Sequence, residues 1–586
     1  MRRRGRWLCA AVSALLLLAI APALAQDQSA RQSAPEADTG WGATQTATAS
    51  RFMVTAANPL AVEAGVEILK AGGSAVDAAI AVQMVLNVVE PQSSGIGGGG
   101  FLVHFTKADG SLTTFDGRET APASAKPDRF LLPDGKPRDF DEAVKSGLSI
   151  GTPGNLRMLE LAHKRFGKLP WKRLFEPAIR VAETGFPVST RLNLLLYMEG
   201  PSAFDSEAQT LYFSPSGWPR RIGSILRNPE LAATLRIIAE KGPDAFYSGP
   251  LAEAIVADAH GAPTVAGDLT TADLAGYRAI ERAAVCAPYR GYSICGMGPP
   301  SSGGTTVAQT LALLDGLDVG SEPLDRTGVG RIAEAEKLAY ADRDRYLADP
   351  DFVAVPSGLL DAAYIAERRK LIDADKPKPS VEAGTPPTKS GALFGADNTR
   401  ERHGTSHVSI VDAEGNAVSF TTSIEGVFGA HRMVQGFFLN NQLTDFAFKP
   451  ADKDGLPVAN RVEAGKRPRS SMAPTIVLGP DGKLFLVTGS PGGSRIILYV
   501  VKSIVCVIDW TCSAGEAAEL VNFGSRNGPL EVESGFSGAR LGMAMWIRGH
   551  KISPQLMTSG VHLIIARDGH YEGAADPRRE GTVRGE

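Results

Sequence analysis

Apolar residues recur at helical spacing along much of this 586-residue chain, and Gly or Pro closes several of these stretches. Residues 58–73 and 74–91 carry this period and predict two consecutive helices. The same period predicts helices at residues 156–166, 171–184, 229–241, 331–347 and 495–509, and residues 101–105 predict a strand. Residues 376–398 are rich in Pro, Gly and Lys without an apolar period, which predicts a linker or an exposed loop.

Two further strands are predicted after residue 404, because apolar residues there alternate with Ser and Thr. Pairing Val408 with Phe420 aligns apolar positions, whereas a slip of one residue would place Val408 opposite Ser419. By the same register Thr405 lies opposite Ser423, with both hydroxyl groups on one face of the ladder.

Composition indicates a large soluble globular protein. With 43% hydrophobic and 21% charged residues, the chain can bury a large core, and its length exceeds what one small domain needs. The net charge is −3 and basic residues do not cluster, so there is no electrostatic reason to expect a nucleic-acid partner.

The first 25 residues have the pattern of a secretory signal peptide. Four arginines precede an apolar run at residues 8–20, and Ala-Leu-Ala at residues 23–25 forms a cleavage site. The run is shorter than the ~20 residues of a membrane span, so a cleaved signal is favoured over an uncleaved anchor. We therefore expect a periplasmic or secreted protein without a stable membrane anchor, beginning with a flexible leader at residues 26–50. Cleavage removes the four arginines and no acid, which changes the net charge from −3 to −7.

Four cysteines follow the signal, in a compartment that permits disulfides. A two-residue turn at Arg290 and Gly291 would place Cys286 opposite Cys295, although Pro288 disturbs the ladder. Two alternatives are left open: a disulfide between these two cysteines, or two free thiols. Cys506 lies in an apolar run and is expected to be a small buried hydrophobic residue. The fourth of these cysteines is Cys512.

Three motif matches fail on their context. Residues 95–100 fit G-x-G-x-x-G, but a predicted helix precedes them and a predicted strand follows, the reverse of a dinucleotide site. Ser149 fits G-x-S-x-G without a preceding strand. His403 and His407 lack the glutamate of H-E-x-x-H and flank a strand start, where i and i+4 side chains do not meet. No metal site is therefore predicted.

Thr405 has a second interpretation besides that of an ordinary strand start. A threonine hydroxyl is a poor nucleophile and needs a base. If the chain were cut between Gly404 and Thr405, the new α-amino group, with a pKa of about 8, would supply that base within the same residue. Thr405 would attack the preceding carbonyl, and an N-to-O acyl shift followed by hydrolysis would free the new terminus.

The chain resembles the γ-glutamyltransferase family of N-terminal-nucleophile hydrolases over nearly its whole length after the leader. The resemblance lies in nine stretches in order: GGSAVDAAIA, PQSSGIGGGGF, RETAP, GPPSSGG, AEAEKLAYADR, GTSHVSIVD, LNNQLTDF, KRPRSSMAPT and GSPGGSR. It implies an α/β (α+β) fold, a four-layer αββα sandwich. Residues 51–404 would form a large subunit and residues 405–586 a small one, neither folding alone. This chemistry requires no metal or organic cofactor.

The resemblance also assigns roles to individual residues. It makes Thr405 the nucleophile and Ser423 the hydroxyl that hydrogen-bonds it, while Gly492 and Gly493 supply the backbone N–H groups of an oxyanion hole. Three residues match the clamp on the substrate α-carboxylate: Arg118, Ser470 and Ser471. Three match the positions that hold the α-ammonium group: Glu425, Gln442 and Asp445. Some relatives have asparagine at the position of Glu425.

The implied activity is cleavage of the γ-glutamyl amide of glutathione and related compounds through a γ-glutamyl-threonine intermediate. Water or an acceptor amino acid or peptide then resolves the intermediate. Residues 449–465 lie where some members carry a lid over the site. One alternative is an acylase acting on glutaryl or β-lactam side-chain amides, against which Asp445 argues because a glutaryl group has no ammonium. The other alternative is a non-catalytic periplasmic binding protein.

Overall fold

Residues 43–387, 393–397, 399 and 404–586 are described in the computed structural model of the chain. The predicted signal peptide and His403 lie outside these residues.

The strands are β1 Gln45–Ala49, β2 Met53–Ala56, β3 Gly99–Thr106, β4 Ser111–Asp116, β5 Phe186–Pro187, β6 Ile225–Leu226, β7 Ile280–Arg282, β8 Val285–Tyr289, β9 Tyr292–Gly296, β10 Gly404–Val411, β11 Ala417–Glu425, β12 Met433–Val434, β13 Phe437–Phe438, β14 Thr475–Leu478, β15 Leu484–Gly489, β16 Phe523–Gly524, β17 Leu530–Glu533, β18 Ile552–Gln555, β19 His562–Arg567, β20 His570–Ala575 and β21 Thr582–Gly585.

The α-helices are α1 Pro59–Lys70, α2 Ala75–Val89, α3 Phe140–Val144, α4 Asn155–Phe166, α5 Glu176–Thr184, α6 Thr190–Glu199, α7 Ser206–Tyr212, α8 Pro229–Lys241, α9 Asp244–Tyr247, α10 Pro250–His260, α11 Thr271–Gly276, α12 Gly303–Leu314, α13 Arg326–Tyr346, α14 Ala362–Arg369, α15 Ile496–Ile508, α16 Ala514–Glu519 and α17 Phe536–Ile547. Short 3-10 turns occur at Gly147–Ser149, Trp171–Phe175, Pro201–Ala203, Ser357–Leu360, Gln442–Asp445 and Gly493–Arg495.

Two seven-stranded sheets form the centre of the fold. Sheet I has the order β1-β20-β19-β15-β14-β9-β8, and sheet II has the order β21-β2-β10-β11-β3-β4-β7. Each sheet contains strands from before and after Thr405; β10 pairs with β2, and β14 pairs with β9. The two segments on either side of Thr405 therefore share both sheets and their cores.

Three apolar clusters separate the four layers. The first lies between sheet II and the helices that include α1, α2, α4 and α5. The second lies between sheet I and the helices that include α12, α13 and α15. A smaller cluster, with Val103 from sheet II and Ile564 from sheet I, joins the two sheets face to face. This arrangement confirms the predicted αββα sandwich.

Helices α1 and α2 follow directly from their sequence. Asn58 caps α1 by accepting from the Leu60 N–H, and Pro59 occupies the first turn, where its missing N–H costs nothing. Ser74 and Asp77 form a capping box at the start of α2. Every residue of α2 is buried, as expected of a mostly apolar helix, and its polar residues are Asp77, Gln83 and Asn87.

Other predicted elements agree with the structure except at their ends. Residues 229–241 coincide with α8, and residues 156–166 and 495–509 match α4 and α15 within one residue at each end. The helix predicted at residues 171–184 divides into a 3-10 turn and α5, where Pro177 occupies the first turn. α13 begins at Arg326 instead of residue 331, because the Asp325 carboxylate caps the N–H groups of Thr327 and Gly328.

Three expectations need correction or completion. The predicted flexible leader is wrong for Gln45–Ala49, which forms β1 and pairs with β20 at an edge of sheet I. Cys286 and Cys295 face each other across β8 and β9 and form a disulfide, which settles the alternative left open. Cys506 is buried as expected, but it also forms a disulfide with Cys512. The described part of residues 376–398 contains no helix or strand, as predicted.

Candidate active site

The β10/β11 hairpin has the register expected from its apolar pattern. Val408 pairs with Phe420, and Thr405 pairs with Ser423. The Thr405 hydroxyl donates to the Ser423 hydroxyl at 3.3 Å, and Ser423 donates in turn to the carbonyl oxygen of Gly404 at 2.6 Å. The Glu425 N–H donates to Ser423 at 2.8 Å and fixes its orientation. A hydroxyl donor thus lies on the carbonyl that precedes Thr405, where it would stabilise a developing oxyanion.

The backbone departs from regular strand geometry at this point. The register shifts between Gly404 and Thr405, so that Gly404 faces Glu425 and Thr405 faces Ser423. Glu425 has a φ of +77°, which is uncommon for a residue with a side chain. A Cβ on Gly404 would lie 2.4 Å from the Gly426 carbonyl oxygen, so this close approach of two backbones requires glycine.

A buried polar network holds the other face of β10. Ser406, next to Thr405, donates to the Glu90 carboxylate at 2.6 Å, and Ser94 donates to Ser406 at 3.2 Å. Arg191 forms an ion pair with Glu90. Burial raises the pKa of the Glu90 carboxyl, and the Arg191 guanidinium opposes that rise. A second arginine, Arg579, donates to the Thr405 carbonyl at 3.0 Å.

Two opposite charges meet at the other end of the site. Arg118 donates to Asp445 at 2.5 Å, and both side chains are buried. The same guanidinium donates to the backbone carbonyls of Pro468 and Arg469 at 3.1 and 2.8 Å, which holds its plane. The Gln442 amide donates to the same Asp445 oxygen at 2.8 Å. The predicted carboxylate clamp and the predicted ammonium acceptors are therefore neighbours.

A buried carboxyl lies beside this pair. The Glu119 side chain is fully buried, and one of its oxygens lies 3.9 Å from the Arg118 guanidinium. Burial raises the pKa of Glu119 to about 8, with Arg118 acting in the opposite direction.

Ser470 and Ser471 are held by residues of the GPPSSGG and AEAEKLAYADR stretches. Both the backbone N–H and the hydroxyl of Ser302 donate to the Ser470 carbonyl at 2.7 Å. Arg343 donates to the Ser471 hydroxyl at 2.5 Å and to the Ser302 hydroxyl at 2.9 Å. These contacts orient the serine pair beside Arg118.

The glycine loop precedes α15. Gly492 has a φ of +139°, and a Cβ there would lie 2.5 Å from the Tyr499 ring, so this position requires glycine. Gly493 begins the short 3-10 turn that leads into α15. The positive end of the helix dipole therefore faces the same region as the Gly493 N–H.

One small pocket brings most of the predicted residues together. Its lining contains nine of them: Arg118, Thr405, Ser423, Glu425, Gln442, Asp445, Ser470, Ser471 and Gly493. Met472 and Ile496 complete the lining, while Gly492 is not part of it. A larger cleft in the described part of the chain is lined by surface residues such as the ion pair of Arg157 with Asp244, and it contains none of the predicted site residues.

Sequence reasoning missed the residues that hold this lining in place. Asn441 donates to the Glu425 carboxylate, Arg343 holds Ser471, and Glu90 holds Ser406. Asn441 and Arg343 lie inside stretches that carry the family resemblance, which is the signal that could have identified them. Arg579 lies near the end of the chain in sequence, and its contact with Thr405 depends on tertiary structure alone.

Residues 449–465, which lie where some family members carry a lid, do not line the pocket. Asn460 within this segment nevertheless donates to the Asp445 carbonyl at 2.7 Å and accepts from the Arg469 N–H at 2.9 Å.

The rejected motifs have structural roles. Residues 95–100 lead from α2 into β3, the order predicted for them. Ser149 donates to the backbone carbonyls of Val144 and Ser146 at 2.8 Å. His407 is buried between the sheets and bonds to the Thr421 hydroxyl at 2.8 Å. Across the described ranges, no three His, Cys, Asp or Glu side chains are grouped to hold a metal ion.

None of the helices in the described ranges has the length and apolar character needed to cross a bilayer.

Comparison with known proteins places the chain among enzymes with this architecture. The glutathione hydrolase proenzyme of Escherichia coli K12 is 40% identical over 542 residues, which cover 90% of this chain and 91% of that protein. The acylase ACY 1 proenzyme of Pseudomonas sp. strain SE83 is 38% identical, with coverage of 92% and 94%.

Among solved structures, cephalosporin acylase from Bacillus halodurans superposes with a TM-score of 0.80 at 28% identity, covering 94% of this chain and 99% of that one. The sequence profile described as gamma-glutamyltranspeptidase matches residues 61–585. The chain therefore belongs to the gamma-glutamyltranspeptidase family.

Proposed function

We propose that the protein is a self-processing γ-glutamyltransferase that cleaves the γ-glutamyl amide of glutathione and related compounds. The observation that carries this proposal is the pocket itself, which joins the Thr405 hydroxyl to the buried Arg118–Asp445 pair. The proenzyme names of the relatives support processing of this kind.

Processing starts from the hydrogen bonds around Gly404. The Thr405 oxygen attacks the Gly404 carbonyl carbon, and Ser423 stabilises the oxyanion by its 2.6 Å hydrogen bond. The C–N bond then breaks, leaving an ester on Thr405 and a free α-amine, and water hydrolyses the ester. Residues up to 404 become the large subunit, and residues 405–586 become the small subunit.

Substrate binding exchanges one ion pair for two. A γ-glutamyl group carries an α-carboxylate for Arg118 and an α-ammonium for Asp445, so both members of the pair keep an opposite charge when they separate. Ser470 and Ser471 donate to the same carboxylate, and Glu425 and Gln442 accept from the ammonium.

Turnover then proceeds in two steps. The Thr405 hydroxyl attacks the γ-carbonyl carbon, its α-amine accepts the proton, and the Gly493 N–H stabilises the oxyanion together with that of Gly492. The protonated leaving amine departs, and a γ-glutamyl ester stays on Thr405. Water or an acceptor amino acid or peptide attacks the ester and restores the free hydroxyl.

An acylase acting on glutaryl or β-lactam side-chain amides is the second candidate, favoured by the similarity to acylase ACY 1 and to cephalosporin acylase. A glutaryl group would take Arg118 away from Asp445 and bring no cation in exchange. Leaving the buried Asp445 carboxylate without a positive partner costs free energy, and this cost favours the γ-glutamyl substrate.

We also propose that the protein is exported to the periplasm or secreted, on the strength of the signal-peptide pattern in residues 1–25.

Denaturing electrophoresis of the purified protein tests processing first. We expect two fragments of about 40 and 20 kDa, from their shares of the 61.7 kDa chain, the smaller beginning Thr-Ser-His-Val-Ser. Thr405→Ala should stay a single inactive chain, because both hydroxyl and amine belong to this residue. Ser409→Ala is the matched control, since it removes a hydroxyl from the same strand outside the pocket. A split Thr405→Ala chain would refute the mechanism, and a single-band wild type would indicate a binding protein.

A chromogenic γ-glutamyl anilide and the matching glutaryl anilide test the substrate. Preference for the first supports the transferase, and preference for the second supports the acylase.

A further inference from the structure

Helix α17 is apolar on both of its faces, but the described residues cover only one of them. Gly538, Leu541, Gly542 and Met545 point inward and are buried. Phe536 is 80% exposed, Met543 60%, Trp546 64% and Ile547 71%. An ordinary surface helix carries polar residues outward, so this face departs from the usual pattern.

One more apolar side chain extends this surface. Leu556, 60% exposed, directly follows β18, whose last residue, Gln555, accepts from the Ser534 N–H at 2.7 Å. Leu556 therefore lies near the start of α17. We call Phe536, Met543, Trp546, Ile547 and Leu556 the outer apolar face.

Three basic residues lie in or directly after α17: Arg540, Arg548 and Lys551. Residues 534–567 contain no Asp or Glu, although the chain carries a net charge of −3. Arg540 and Lys551 are exposed, and their side chains make no ion pair with the described part of the chain. Arg548 is paired with Asp375, an acid from the loop after α14. Arg540 and Lys551 therefore add positive charge to the segment that carries the outer apolar face.

We propose that the outer apolar face docks the protein onto an anionic phospholipid surface, with α17 lying in the plane of the headgroups. Aromatic and aliphatic side chains at this depth contact the acyl boundary, while arginine and lysine reach the phosphates. A 12-residue helix is about 18 Å long, which is too short to span a bilayer. The contact is peripheral and reversible, and it is separate from the proposed catalytic chemistry.

A second copy of the chain fits this surface less well. A stable interface uses about 20 to 30 residues from each partner, whereas the outer apolar face has five. In a two-fold contact through α17, Arg540 would also approach its own counterpart. Charge complementarity thus favours a negatively charged surface.

Another group of exposed apolar residues provides a matched control. Tyr197 and Trp218 are 59% and 62% exposed, but their rings stack on each other at 6.0 Å. The nearby Arg220 and Arg227 donate to backbone carbonyls of the protein. This group has similar residue types, but its two aromatic rings contact each other and its arginines are bonded to the protein.

Vesicle sedimentation of the processed wild-type protein tests the proposal. We expect binding to vesicles of phosphatidylglycerol and phosphatidylethanolamine, weaker binding in high salt, and little binding to pure phosphatidylcholine. Trp546→Ser combined with Ile547→Ser should reduce the partition coefficient by at least about tenfold, because two buried apolar contacts are lost. Arg540→Gln and Lys551→Gln should each reduce it about fivefold on the anionic vesicles. Trp218→Ser should bind as the wild type does.

Any of three results would overturn the proposal: absence of wild-type binding to anionic vesicles, unchanged binding of the Trp546→Ser, Ile547→Ser variant, or loss of binding in Trp218→Ser. A wild-type dimer that this double variant converts to a monomer would show that a second copy covers α17. Cleavage of γ-glutamyl anilide should be unchanged in the variants of Arg540, Trp546, Ile547 and Lys551, which confirms that they are folded and separates this test from the proposed function.

Discussion

The two ends of the pocket are built in different ways. At the nucleophile end, Thr405 and Ser423 lie across one hairpin, and backbone pairing alone sets their contact. At the binding end, Arg118 and Asp445 are 327 residues apart and meet only through tertiary structure. In the proposed function, the nucleophile end is preorganised, whereas the binding end is an ion pair that substrate would have to separate. The proposal therefore makes reactivity depend on strand register and selectivity depend on an exchange of charge partners.

The largest expected effect tests the nucleophile end. Ser423→Ala removes the only hydroxyl donor seen on the Gly404 carbonyl in the described residues, so cleavage after Gly404 should slow by about 100- to 1,000-fold. Densitometry of precursor and fragments over time measures the rate. Ser419→Ala is the control, because that hydroxyl lies on the same strand and donates to Thr488. Equal rates in wild type and Ser423→Ala would mean that register does not set reactivity.

The next effect belongs to the binding end. Arg118→Lys keeps the charge but loses the planar fork that also contacts Pro468 and Arg469. We expect kcat/KM for γ-glutamyl anilide to fall about 10- to 100-fold, the cost of hydrogen bonds to a charged group, while processing continues. Arg129→Lys, at a buried arginine that pairs with Asp268, controls for general destabilisation. If processing fails in Arg118→Lys but not in Arg129→Lys, the two ends are not independent.

Asp445→Asn tests the charge exchange directly. The substitution keeps the size of the side chain and removes its charge, so the γ-glutamyl ammonium loses its partner. The ratio of kcat/KM for γ-glutamyl anilide to that for glutaryl anilide should fall by at least about tenfold, or ~1.4 kcal/mol. The glutaryl substrate should lose little or gain, because no buried carboxylate is then deprived of Arg118. An equal decline with both substrates would assign Asp445 a structural role and favour the acylase.

The two ends of the pocket also differ in how far the sequence could predict them. Apolar alternation sufficed to pair Thr405 with Ser423, because a one-residue slip would reverse the faces of both strands. Nothing local to Arg118 or Asp445 indicates that they meet, and only the family resemblance placed them together. Neither the apolar pattern nor the family resemblance predicted the hydrogen bonds from Arg343 to Ser471 and from Arg579 to Thr405. These depend on how distant segments pack. The strand at Gln45–Ala49 was missed because its pairing partner, β20, lies more than 500 residues away.

The smallest expected effect concerns the scaffold under the nucleophile strand. His562 is buried in sheet I, and its backbone carbonyl accepts from Ser409 of β10 at 3.0 Å. Burial lowers the pKa of His562 to about 4 from an ordinary value of 6.5. Between these values the unfolded chain binds more protons than the folded one, so stability falls as pH falls from 6.5 towards 4 and is constant with respect to this group above 6.5.

The uncleaved Thr405→Ala chain is a suitable host for measuring this effect, since it unfolds as a single polypeptide. The free energy of unfolding decreases between pH 6.5 and pH 5.5, and His562→Leu in that host should make this decrease smaller by about 1 kcal/mol. Urea unfolding at the two pH values measures it. The comparison uses the difference between pH values, because leucine also changes packing at both. The buried His104, whose pKa is lowered to about 4 by burial, continues to titrate, so the slope should decrease without vanishing. An unchanged pH dependence of stability would show that His562 is not a buried neutral group. The contact between sheet I and β10 would then be less rigid than a preorganised nucleophile end requires.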